Sequence, residues 1–225
     1  MSRRYLPNII ITGTPGCGKS SHSQNLVSHI KESIGKDLKH FNISDIAKDQ
    51  KFIESYDAKL DTSIVDEDKL LDYLEVALEK GGIIIDWHCC EIFPERLIDL
   101  VVVLKVDNSI LYDRLKKRNY NDLKLQENLD CEIMEIILNE ARDSYIPEIV
   151  IELNSNDIDE LENNVERIAL WIENWLNDHK NGVTNELQPA ESESELEREG
   201  EEEEEEREQD EEESNEEMEH LEDLE

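Results

Sequence analysis

Basic residues are scarce in this chain of 225 residues: 23 Lys and Arg stand against 58 Asp and Glu, a formal net charge of −35. Binding to bare nucleic acid needs lysine and arginine on the phosphates, so the charge balance argues against it. Long apolar runs are missing too. No window reaches the roughly 18 apolar residues of a membrane-spanning helix, and no contact with membrane is expected. The opening residues 1–7 are too few and too polar to be read as a signal peptide. Only four cysteines occur, Cys17, Cys89, Cys90 and Cys131. They lack zinc-type spacing, and the neighbours Cys89 and Cys90 are poorly placed to pair with each other. A reducing compartment, nucleus or cytoplasm, is the expectation.

Aromatic and β-branched residues all but vanish near the C-terminal end. Residues 186–225 hold 23 acidic and two basic residues, which is −21 of the total. Such a stretch cannot bury enough surface to offset chain entropy, so residues 183–225 are expected to form a disordered acidic tail. Acidic runs meet basic proteins, ribosomal proteins or histones among them, or simply keep a chain soluble. The rest of the chain, residues 1–182, is long enough for one α/β domain with a full core.

Glycine is rare, yet three of the eight fall within six residues. Ile9-Ile10-Ile11-Thr12 runs into Gly13-Thr14-Pro15-Gly16-Cys17-Gly18-Lys19-Ser20-Ser21. The stretch matches the P-loop pattern G-x-x-x-x-G-K-[ST]. Gly13, Gly16 and Gly18 allow backbone conformations closed to other residues, so consecutive N–H groups, that of Cys17 included, turn inward around a phosphate. A helix starting near Lys19 points its positive end at the same anion. Lys19 reaches the β- and γ-phosphates, and Ser20 offers a hydroxyl to Mg²⁺.

The remaining pattern alternates strand and helix. Apolar strands are expected at residues 8–12, 40–43, 83–86, 100–106 and 149–153. Helices are expected at 19–33, from a cap at Ser44, from Asp66 to Gly81-Gly82, from Asp107 towards Arg118, at 123–145, and from Asp157 to about 178. Residues 49–64 show little periodicity and are read as a helical excursion beside a substrate site. The alternation predicts an α/β fold of the P-loop NTPase kind, a five-stranded parallel sheet flanked by helices. Ligands then sit at the carboxyl ends of the strands, where Gly13 and Asp86 both fall.

Asp86 ends an apolar strand two elements after the P-loop, the Walker-B arrangement for holding Mg²⁺; the plainer reading is an Asp that begins a turn. His88, two residues on, orients water or takes a proton, or is a structural histidine at the sheet edge. Arg118, with Arg114, lies in the densest basic patch and neutralises charge on a transferring phosphoryl group, or merely decorates a helix end. Lys48 and Arg96 follow the second and third strands and together suggest a clamp for the phosphate of an acceptor nucleotide.

These marks in this order resemble the adenylate kinase isoenzyme 6 family, also known as coilin-interacting nuclear ATPases. The resemblance covers about residues 7–178. It rests on the P-loop, Ser63-Ile64-Val65-Asp66-Glu67-Asp68, Asp86-Trp87-His88, Phe93-Pro94-Glu95-Arg96, Arg118-Asn119-Tyr120-Asn121 and Glu160-Leu161-Glu162-Asn163-Asn164-Val165. It implies an adenylate-kinase-like fold with a short NMP-binding region at 42–65 and a lid at 117–127. It implies ATP and Mg²⁺ on Gly16, Gly18, Lys19, Ser20 and Ser21, a Walker-B pair in Asp86 and His88, and a lid contact from Arg118. It further implies phosphoryl transfer from ATP to AMP, an ATPase activity, and a role in small ribosomal subunit maturation through a small-subunit ribosomal protein of the pre-40S particle. A monomer is expected. Lys48 stands where adenylate kinases often place Arg, a point charge in place of a bidentate fork.

Overall fold

The computed structural model describes residues 3–186. In chain order the elements are β1 (Arg3–Arg4), β2 (Ile9–Thr12), α1 (Lys19–Ser33), β3 (Lys39–Asn42), α2 (Ile43–Asp49), β4 (Ile53–Asp57), β5 (Thr62–Val65) and α3 (Glu67–Leu78). They continue with β6 (Ile83–Asp86), β7 (Leu100–Lys105), α4 (Asn108–Lys117), α5 (Asp122–Ile133), α6 (Ile136–Ser144), β8 (Val150–Asn154), α7 (Ile158–Asp178) and β9 (Val183–Thr184). Five strands form the expected parallel sheet, in the order β3-β6-β2-β7-β8.

The central strand β2 shows why the sheet is buried on both faces. Side chains alternate along a strand. Ile9 and Ile11 therefore join Leu26 and Ile30 of α1, Leu111 and Leu115 of α4 and Ile168 and Ile172 of α7 on one face. Ile10 joins Leu70, Leu74 and Leu78 of α3 and Ile137 and Leu138 of α6 on the other. Register then sets the site. Ile11 and Asn42 lie on either side of Asp86, and Thr12 lies beside Val103. The P-loop, Asn42 and Asp86 thus share the carboxyl edge.

Caps fix where the helices begin. Asp66, Asn121 and Asp157 each accept a hydrogen bond from the backbone N–H three residues on, satisfying a first-turn donor. Ser44 is not a cap. The helix starts two residues earlier than expected, and Asn42 accepts from Asp45 N at 3.1 Å. Asp107 flanks α4 without a side-chain cap bond.

Two further expectations are corrected by backbone turns. Residues 49–64 are not a helical excursion; β4 and β5 pair antiparallel as a hairpin. Asp57 makes the turn, its Oδ1 accepting from the N–H groups of Lys59 and Leu60, and Asp61 takes a positive φ of 48°. The helix expected over 123–145 is two helices, because Glu135 adopts φ 54° and breaks the ladder. The Glu135 carboxylate pairs with Lys105 at the end of β7.

The domain also does not stop at residue 182. β9 pairs with β1, Arg3 opposite Thr184. Asn185 accepts from Arg4 Nε at 3.0 Å and donates to the Glu79 carbonyl at 2.9 Å. Arg4 is 2% exposed and paired with buried Asp99 at 2.9 Å. The compact unit ends at Glu186; the rest of the acidic stretch, 187–225, lies outside the described residues. All four cysteines are free.

Candidate active site

The loop between β2 and α1 is shaped by its glycines. Gly13, at φ 132°, runs so close to the end of β7 that a Cβ would sit 2.4 Å from the Leu104 carbonyl oxygen. No L-residue side chain fits there. The loop's carbonyl oxygens are held from behind. Arg114 donates to Gly16 O at 3.2 Å, and also to Ser155 O and Asn156 O at 2.9 and 2.7 Å. Ser155 Oγ donates to Cys17 O at 2.5 Å. His22 Nδ1 donates to Gly18 O at 3.0 Å, a tautomer set by Asn164 Nδ2 donating to Nε2 at 3.2 Å. α1 opens with no side-chain cap on its first N–H groups. Uncapped N–H groups at a helix start, with the carbonyls turned away, suit an anion.

Lys19 Nζ donates to Gly13 O at 2.7 Å and Thr14 O at 3.2 Å, so its ammonium lies over the loop. Cys17 differs from expectation. Its N–H bonds to Thr14 O at 3.1 Å and closes the turn. Its thiol is fully buried behind Gly13, and that burial pushes the thiol's pKa up. Cys17 shapes the loop and is not a reactive group. Ser21 stands exposed in the first turn of α1.

Asp86 and Ser20 meet at the mouth of this loop. Asp86 is 4% exposed, and its Oδ2 accepts from Ser20 Oγ at 2.6 Å, Asn42 Nδ2 at 2.9 Å and His40 Nε2 at 3.1 Å. Burial alone pushes the carboxyl pKa up. The donors His40 and Ser20, with the Lys19 charge, outweigh it and leave the group below its usual value. A hydroxyl and an ionised carboxylate side by side are the hard oxygen donors that Mg²⁺ takes, one or two from protein and the rest from substrate phosphates and water. Among the described residues no cluster of three or more His, Cys, Asp or Glu could hold a metal by itself. The pair fits a metal that arrives with a nucleotide.

His88 sits beyond Asp86, its carbonyl accepting from Thr12 Oγ1 at 3.2 Å and its ring edge-on to Trp87 at 5.3 Å. Burial, then the charges of Lys19 and Lys124, hold its pKa at about 4, so the imidazole is neutral near pH 7.

Within the expected lid, residues 117–127, Arg118 is exposed at the end of α4 and without an ion pair among the described residues. Arg114, its expected companion, faces the loop carbonyls instead. Asn121 Nδ2 donates to Lys59 O at 3.1 Å and Lys124 Nζ to Asp61 O at 2.6 Å. The lid and the β4–β5 turn are therefore joined. Lys48 is exposed near the end of α2, on the site's side of the sheet. Arg96 is not at the site. It donates to Asn185 O at 3.0 Å and pairs with Glu75 at 2.8 Å. Its carbonyl accepts from Arg4, which places it at the amino ends of the strands, away from the phosphate loop.

The AAA domain family matches residues 9–135. A Candida albicans protein named adenylate kinase isoenzyme 6 homolog HBR1 is 71% identical over 191 residues, 83% of this chain and 77% of its own length. The Saccharomyces cerevisiae adenylate kinase isoenzyme 6 homolog FAP7 is 53% identical over 192 residues, 85% of this chain and 95% of its own. The chain belongs to the adenylate kinase isoenzyme 6 family. A Schizosaccharomyces pombe homolog of isoenzyme 6 is 50% identical over 176 residues, 78% of this chain and 97% of its own.

Membership makes this a kinase-like nucleotide-binding protein and agrees with the P-loop at residues 13–21. Several side chains that build this isoenzyme 6 site carry no motif signal. His40 and Asn42 both bond Asp86, yet nothing in their spacing marks them. His22, Asn164 and Ser155 hold the loop from elements far apart in sequence. Glu132 reaches Thr14 Oγ1 at 2.5 Å from the end of α5. Only the fold brings these together.

Proposed function

We propose that this protein transfers the γ-phosphoryl group of ATP to AMP, with a slower transfer to water. The observation that carries the reading is the meeting of Ser20 and Asp86 at the mouth of the phosphate loop, under a lid tied to the hairpin. ATP lies with its phosphates on the loop's N–H groups other than that of Cys17, and on the positive end of α1. Lys19 exchanges its loop carbonyls for the β- and γ-phosphates. Ser20 and Asp86 would hold Mg²⁺, which would supply neutralisation of the phosphate charge. AMP enters between α2 and the hairpin, residues 42–65, with Lys48 near its phosphate, and Arg118 covers the transferring group. Lid and hairpin exclude water, and catalysis is mainly positioning and charge stabilisation.

An analogue with two adenosines joined by five phosphates tests the two-site geometry. It is expected to displace both ATP and AMP and to bind far more tightly than ADP. Competition with ATP alone would overturn the acceptor site.

One observation favours a second reading. The neutral His88 imidazole beside Asp86 can order a water, and Lys48 offers the acceptor only a point charge. On this reading hydrolysis drives assembly: the protein, a monomer in nucleus and cytoplasm, carries a basic small-subunit ribosomal protein into the pre-40S particle. The body and the acidic stretch disfavour bare nucleic acid as the direct partner. ADP and inorganic phosphate released at a rate indifferent to AMP would select this reading.

A further inference from the structure

Thr14 occupies a P-loop position that the motif leaves free, yet its hydroxyl is buried, 1% exposed. A buried hydroxyl needs a partner. The partner here is a carboxylate from the far end of the lid helix. Glu132 Oε2 accepts from Thr14 Oγ1 at 2.5 Å, and Oε1 accepts from Val106 N at 2.9 Å. Glu132 forms no ion pair among the described residues. A half-buried carboxylate held only by neutral donors, next to a loop built for polyanions, is a costly way to satisfy one hydroxyl and one backbone N–H.

The rest of Thr14 explains the placement. Its carbonyl receives Cys17 N at 3.1 Å, which closes the loop, and Lys19 Nζ at 3.2 Å. The position of Thr14 therefore sets both the loop's turn and the seat of the catalytic lysine. α5 is fixed at both ends. Its first turn, with Asn121, is bonded to the hairpin carbonyls of Lys59 and Asp61. Its last turn carries Glu132, bonded to the loop and to the chain leaving β7.

We propose that Glu132 is a positioning residue that sets nucleotide affinity by clamping Thr14 of the phosphate loop to the lid helix. This rests on the reading that the loop takes ADP and ATP, but not on the identity of the acceptor. With the clamp in place the loop is pre-ordered before nucleotide arrives, and ordering lost elsewhere is not charged to binding.

The test is titration of the full chain with a fluorescent N-methylanthraniloyl ADP in Mg²⁺, which reads affinity without turnover. Glu132→Ala and Thr14→Val should each weaken binding about tenfold, the scale of a lost hydrogen bond to a charged group. The double variant should be no weaker than either single one, because both remove one interaction. Thr14→Ser and Glu132→Gln, which keep a donor and an acceptor, should recover most of the affinity while thermal midpoints stay together. Losses that multiply in the double variant would overturn the clamp. Tighter binding in both Glu132→Ala and Glu132→Gln would overturn it too, leaving the carboxylate a mere repeller of phosphate. A wild-type chain that does not bind the probe would instead remove the nucleotide reading itself.

Discussion

The charged residues at the loop mouth do different work. Lys19 lies over the loop and can swing to phosphate without crossing another element. Lys19→Ala should lower nucleotide turnover by about two orders of magnitude or more, the scale of a lost charge-stabilising donor. Circular dichroism should show an unchanged fold. Turnover that survives would remove the loop from the chemistry. His88 is held at about 4 against an ordinary 6.5, so its titration should not appear as a step near pH 6.5 in the rate profile. The same shift has a sign for stability. A histidine depressed in the fold leaves the unfolded chain binding more protons, so stability present above pH 6.5 is lost as pH falls towards about 4. Urea titrations at pH 7 and pH 5 should show His88→Gln losing less stability on acidification than the wild type. Asp86 was legible because an acid closing an apolar strand has positional meaning. His40, Asn42 and Glu132 were not, because a contact across three elements leaves no spacing in one chain.

At the scale of elements, apolar runs and caps made the five strands and α1 readable within a residue or two. The hairpin was not, because the alternation in Ile53-Glu54-Ser55-Tyr56-Asp57 is weak and its turn rests on Asp57 and Asp61 without glycine. The break between α5 and α6 was hidden for a similar reason. Glu135 takes a positive φ with an ion pair to Lys105 as its anchor, where glycine would have been the visible signal. Arg96 was misplaced because its neighbourhood looked like the end of the β6 loop at the site. The chain instead crosses to the amino edge before entering β7. The hairpin and lid should act together. Lys124→Ala removes a donor to Asp61 and should raise the KM for AMP several-fold, about the size of one hydrogen bond, with a smaller change in the KM for ATP. Equal changes in both would separate the lid from the acceptor side.

Across the described residues, the amino edge of the sheet is a second structural centre, remote from the phosphate loop. Arg4, Asp99 and Asn185 tie the two ends of the compact unit together. Arg4→Ala leaves Asp99 buried without its counter-charge and should cost about 3–5 kcal/mol, read by urea denaturation. A chain ended at residue 186 should keep the stability and activity of the full one. A chain ended at residue 182 should lose the Asn185 bonds to Arg4, Arg96 and Glu79, and unfold at lower urea. Composition marked where acid takes over at Glu186, but not the three residues before it that fold back, because their role is set by partners at residues 3–4 and 79–96. The phosphate loop and this closure lie at opposite edges of one sheet.

The measurement that bears most directly on the proposed reaction is product stoichiometry from ATP and Mg²⁺ with and without AMP. Two ADP formed for each ATP consumed, only when AMP is present, is the predicted result. ADP and inorganic phosphate in equal amounts, at a rate AMP does not change, would contradict transfer to AMP.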